Sequence, residues 1–161
     1  MSERERLLSG LDALQPQIKA IRQLPWQIRP GAGERQICDR DGTRLGAVPR
    51  RGSELQNLAT ASAIVYAPDD IERLRSILLD GMAAAGVLDG TQKRWRSAHL
   101  PQLPWSARQI NTTNYSLHDA AGAIIASFDS LDAQIHTNLV LLTSHYAPRI
   151  IEALAPVAPR P

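Results

Sequence analysis

The sequence predicts an α+β protein: two tandem related units, each a small antiparallel β-meander with Pro-broken helices, in one compact body. Three observations lead there. Blocks near the start recur near the end, Leu24-Pro25-Trp26 as Leu103-Pro104-Trp105 and Tyr66-Ala67-Pro68 as Tyr146-Ala147-Pro148. From Ile37 to Leu74 the matches stand at one constant shift of 80 residues without a gap, and a fixed shift is the signature of a duplicated supersecondary unit. Each block runs from short alternating stretches through an Asp-x-x-Gly turn to helical spacing with a proline inside. Strands followed by helices are the order of an α+β fold.

The first element is an N-terminal helix from about Ser2 to Gln23. Leu7, Leu11, Leu14, Ile18 and Ile21 fall on one stripe, and Pro16 predicts a kink or a split. The stripe has coiled-coil spacing over about two heptads. It fits a homodimer seam, or a face covering this chain's own sheet. The strands of the first unit follow at Trp26 to Ile28, Ile37 to Asp39 and Leu45 to Val48, with turns at Gly31-Ala32-Gly33 and Asp41-Gly42. Ser53 caps a helix that turns Leu55, Leu58, Ala61 or Ser62, and Val65 to one side. Pro68 is expected to break it, with Asp69 and Asp70 opening a new helix whose N-terminal dipole favours acid. Gly86 and Gly90 are expected to end that helix.

The second unit repeats the order. Trp105 starts a strand, Tyr115 to Leu117 form the next, Gly122 marks the turn and Ala123 to Phe128 return. A helix through Ile135, Leu139 and Leu142 is expected to break at Pro148. The resulting division is an N-terminal helical segment at 1–23, a first α+β unit at 24–88, a basic linker at 89–102, a second unit at 103–155 and a Pro-rich tail at 156–161. One three-stranded meander is marginal alone, so the two are expected to join as one sheet or to pack through their helices.

Composition narrows the function classes. The 161 residues are 43% hydrophobic, enough for a core. Aromatics are 4%, so that core is aliphatic. A net charge of +2 is far from the footprint of an obligate nucleic-acid binder. One cysteine, Cys38, cannot form an internal disulfide, which fits a reducing cytosol. The charged start is not that of a signal peptide, and no apolar run reaches the roughly 18 residues of a spanning helix. The expected location is the cytoplasm, with no membrane partner.

No catalytic, cofactor or metal constellation is complete. His99, His118, His136 and His145 include no helical i, i+4 pair, and one cysteine makes no thiolate cluster. Gly31-x-Gly33 lacks the third glycine and following helix of a dinucleotide loop. Asp39 and Asp119 are matched, and a carboxylate at a turn usually accepts backbone N–H groups; a catalytic pair, one carboxylate per unit, is the sharper alternative. The expectation is a protein that is not an enzyme and needs neither cofactor nor metal.

The candidate binding residues are basic. Lys93, Arg94, Trp95 and Arg96 form a cationic stretch around an aromatic, and Arg50 and Arg51 add to it if they lie near in space. Such a patch can grip phosphates and stack a base. Trp26 and Trp105 read as core anchors, but Trp95 has no repeat partner and reads as an exposed contact residue, of the type that dominates interface energy. On that reading, reversing the charges of Arg94 and Arg96 leaves stability unchanged.

The order of Trp, Asp-x-x-Gly, Ala-x-x-Ile and Ala-Pro-x-x-Ile resembles small accessory proteins of bacteriophages and prophages. Many of these end in a meander plus a helix of the form Asn-Ala-x-Leu-Ile-x-x-Ala-Pro-x-Leu-Leu. The corresponding stretches are Ala61 to Pro68, and Asp132 to Ile135 followed by Ala147 to Ile151. Thr60 and Val140 stand where that pattern has Asn, and the second helix is about one turn longer before its proline. The resemblance implies a phage or prophage factor that binds a bacterial host protein or nucleoprotein complex and inhibits it, as anti-CRISPR proteins do. The rival classes are a nucleic-acid-binding regulator, and a small-molecule binder or enzyme with a site between the units.

Overall fold

The computed structural model describes residues 2–21, 24–50, 52–80 and 85–154. Arg51, the tail at 156–161 and the glycine and methionine at 81–82 lie outside them. In chain order the elements are α1 (Glu3–Ala20), β1 (Gln27–Gly31), β2 (Glu34–Cys38), β3 (Arg44–Pro49), α2 (Glu54–Asp80), α3 (Ala85–Trp95), β4 (Ser106–Asn111), β5 (Asn114–His118), β6 (Ile124–Phe128) and α4 (Ala133–Leu154). Among the described residues this is an α+β fold of four helices and one six-stranded antiparallel sheet. No helix of the described residues is long and apolar enough to cross a membrane.

The strands stand in the order β1-β2-β3-β6-β5-β4. Each meander therefore keeps its local order, and the two join through their last strands. At the junction Gly46 faces Phe128 and Ala47 faces Ser127, and the Asp129 N–H donates to the Leu45 carbonyl at 3.0 Å. The hairpins between β2 and β3 and between β5 and β6 use one device twice. Asp39 Oδ1 accepts the N–H groups of Asp41 and Thr43, each at 2.9 Å. Asp119 Oδ1 accepts those of Ala121 and Ala123, also at 2.9 Å. Gly42 and Gly122 take φ values of 89° and 88°, the left-handed region a glycine enters without steric cost. Both aspartates thus shape turns.

α2 packs on the first meander, α4 on the second, and the two helices meet each other. Ile37, Val48, Leu117 and Phe128 of the sheet lie in one core with Ile64, Leu74, Val140 and Ile150 of the helices. Trp26 and Trp105 are both buried, each just before the first strand of its meander.

Three expectations are corrected here. The helices are not broken at proline: α1, α2 and α4 run through Pro16, Pro68 and Pro148. An interior proline costs about 3 kcal/mol. On either side of Pro68 and Pro148, Ala67, Ile71, Ala147 and Ile151 are fully buried, and burying one Ile side chain returns about 1.5–3 kcal/mol. The continuous α2 also rotates Leu55 and Leu58 away from the core. Ala61, Ile64 and Ala67 are spaced by three, and each such step falls about 60° short of a full turn, so leucines three and six residues earlier swing outward. They are 44% and 57% exposed at Leu58 and Leu55.

The third correction concerns α1. Leu7, Leu11 and Ile21 are buried within this chain, where α1 contacts α4 and α2. Those residues are covered mainly by helices of their own chain rather than by the sheet. Arg4 Nε donates to the Leu78 carbonyl at 2.8 Å, Arg75 meets Asp12 at 2.9 Å and Gln15 meets Glu72 at 3.1 Å, so α1 runs antiparallel along the second half of α2.

Candidate partner interface

The basic stretch folds as the end of a helix. α3 spans the expected boundary between the first unit and a linker, Gly86 and Gly90 lie inside it, and residues 89–95 are helical. What holds it is Asp70, fully buried on α2. Its Oδ1 accepts Thr91 Oγ1 at 2.9 Å, and its Oδ2 accepts Arg94 Nε at 2.8 Å and Trp95 Nε1 at 3.0 Å. Arg94 Nη2 makes a further short contact to Oδ1. Burial of a carboxylate is tolerated only with such pairing. The hydrogen bonds that Arg94 donates to Asp70 raise its pKa above the ordinary value, against an opposing effect of burial.

The expected exposed Trp95 is therefore corrected: it is 2% exposed, with its ring centroid 5.6 Å from that of Trp105. Its indole N–H finds a buried acceptor only by turning inward, which removes it from base stacking. Arg94 is half-buried, committed to Asp70 on one side and to the Tyr66 ring, 4.3 Å away, on the other. Lys93 and Arg96 stay exposed, Lys93 in an i, i+4 pair with Asp89 at 3.1 Å. Arg50 is exposed on the loop after β3, where its N–H donates to the Gly33 carbonyl. It does not line the cavity beside α3.

That cavity, about 340 Å³, lies between α2 and α3. Leu55, Leu58 and Ala59 form its floor, and Lys93, Arg94 and His99 its basic wall. Among the described residues no carboxylate lines it, and Lys93 and Arg94 find theirs outside it, in Asp89 and Asp70. Tyr66, 46% exposed, continues the outward apolar stripe of α2. Sequence reasoning found the cations but not the floor, because it placed Leu55 and Leu58 on one side with Ala61 and Val65, which are buried.

Two other side chains with chemical potential are held inside. Cys38 is buried at the end of β2, and desolvation pushes its thiol pKa up, the reverse of what a nucleophile needs. His136, 5% exposed, packs against Trp26 and Phe128, and burial lowers its pKa against the opposing pull of Asp132 and Asp39. No family model, curated protein or solved structure matches this chain.

Proposed function

We propose that the chain consists of two related units and works as a non-catalytic binding protein that docks a partner protein in the groove between α2 and α3. Kinship of the units is supported by the mirror order of the strands about the β3–β6 junction and by the matched aspartate turns. Docking is carried by one observation: two leucines of a core-forming helix lie exposed at a cavity whose other side is formed by Lys93 and Arg94. Apolar floors with charged rims mark interaction sites. A groove between two helices suits an amphipathic helix, and the basic wall suits one with an acidic flank. In the setting the sequence resemblance implies, the partner belongs to a bacterial host and is inhibited by occupation of its binding surface, as by an anti-CRISPR protein.

The test compares wild type with Leu55→Glu/Leu58→Glu in capture from bacterial lysate and in circular dichroism. Both leucines are exposed, so the fold is expected to persist while the captured protein is lost. Equal capture by the two proteins would place the working surface elsewhere.

A further inference from the structure

Leu131 is 91% exposed, where the next most exposed large apolar side chains among the described residues, Leu55 and Ile110, stand at 57%. It lies on the turn between β6 and α4, and that turn is pinned on both sides of it. Before it, the Asp129 N–H donates to the Leu45 carbonyl at 3.0 Å and the Asp129 carboxylate meets Arg44 at 3.0 Å. After it, the Ala133 N–H donates to the Ser130 carbonyl at 3.0 Å, and Ser130 Oγ lies 3.4 Å from Nδ1 of the buried His136. The leucine is therefore held out into solvent on a fixed base. A knob ordered in advance loses little conformational freedom on docking.

Single exposed leucines are common, but the other unit shows that the connection does not require this one. On the kinship proposed above, the shift of 80 residues sets Pro49, Arg50, Arg51 and Gly52 against Asp129, Ser130, Leu131 and Asp132. The first unit passes from its last strand to its helix with two arginines, the second with a leucine between two aspartates.

The α2–α3 groove has the matching character. Leu55 and Leu58 floor its roughly 340 Å³, and Lys93 and His99 stand exposed on its wall. Lys93 is tied to Asp89 on the surface of its own helix, at i, i+4, a pairing weak enough to be shared. The 129–132 turn does not line the groove of its own chain. A surface knob that matches a pocket elsewhere on the molecule makes a head-to-tail contact between copies.

We infer that the groove takes the 129–132 turn of a second copy of this chain, with Leu131 on the floor made by Leu55 and Leu58 and Asp132 beside Lys93. The inference rests on the groove reading above and adds its regulation. Copies docked head to tail cover one another's grooves, so a partner protein must displace them, and the free monomer is the form that binds it. The arginines of the first unit's connection would meet the basic wall with like charge, so only the second unit supplies a knob.

Sedimentation equilibrium on the full chain decides it. The weight-average mass is expected to rise with concentration up to about 1 mM. Leu131→Glu is expected to weaken association at least about tenfold with unchanged circular dichroism, because the side chain is exposed. Leu55→Glu/Leu58→Glu is expected to do the same from the other side of the contact. The first variant keeps its groove and the second keeps its knob, so an equimolar mixture is expected to restore a pair that grows no further. Wild type that stays monomeric up to about 1 mM, association that Leu131→Glu leaves unchanged, or a mixture no heavier than its components overturns the inference. The groove reading fails separately. A monomeric wild type whose capture from lysate is still lost in Leu55→Glu/Leu58→Glu would sink self-docking and leave that reading standing.

Discussion

Asp70 shows how one polar residue can set the place of an element. It lies fully buried on α2 and gathers Thr91, Arg94 and Trp95, all on α3. Asp70→Ala would leave a half-buried guanidinium and an indole N–H without their acceptor. Losing one partner of a buried ion pair costs about 3–5 kcal/mol, and urea unfolding is expected to show a loss of that order; a loss below about 1 kcal/mol would mean that α3 is held by packing alone. For the same reason Arg94→Glu is expected to be strongly destabilising, opposite to the sequence reading, whereas Arg96 is exposed. The signal for this hub was present but hidden. With Pro68 read as a break, Asp69 and Asp70 looked like the acids of a helix start. In a continuous helix Asp70 stands three residues after Ala67 and four before Leu74, both fully buried, and a carboxylate beside such a stripe must find a cation.

At the scale of elements, strands and turns were legible and helix continuity was not. The alternation and the Asp-Gly and Asp-x-x-Gly turns are local devices, and the observed strands fall where those devices place them. Whether a helix survives a proline depends on what its two ends touch, which is not local. α4 keeps Ala147 and Ile150 buried on either side of Pro148. Ser144 and Thr143, one turn earlier, donate their hydroxyls to the carbonyls of Leu141 and Leu139 at 2.5 and 2.8 Å. Pro148→Ala restores an N–H able to reach the Ser144 carbonyl and removes a ring from a half-buried position. Thermal unfolding is expected at the same temperature as wild type or higher. A clear fall would show that the ring itself packs a cavity, making the proline a core residue rather than a tolerated one. The close approach of α1 and α4 was equally invisible: a Cβ at Gly10 would come within 2.2 Å of the Tyr146 hydroxyl, a constraint set by a residue far along the chain.

For the whole molecule, the decisive contact is the β3–β6 junction, because it turns two meanders into one sheet. The sequence left two arrangements open, a joined sheet or helices face to face, and the fold uses both, since α2 and α4 also meet. No turn connects β3 to β6, so nothing local sets their register; a glycine within a strand permits a close backbone approach. A Cβ on Gly46 would stand 2.0 Å from the Ser127 carbonyl oxygen and 3.0 Å from Phe128 Cα. These are backbone atoms of the partner strand and cannot rotate aside. Gly46→Ala must therefore open the junction, at an expected cost of about 1–3 kcal/mol, and hydrogen exchange at the Asp129 amide, which donates to Leu45 across the seam, is expected to speed up more than exchange at Asp119 in the outer hairpin. Gly90→Ala is the control. Its Cβ would meet the Arg94 guanidinium at 3.4 Å, an ordinary van der Waals contact, and alanine gains about 0.5–1 kcal/mol over glycine inside a helix. If Gly46→Ala matched Gly90→Ala in stability and left Asp129 exchange unchanged, the two halves would be held together by their helices, with the strand junction contributing little.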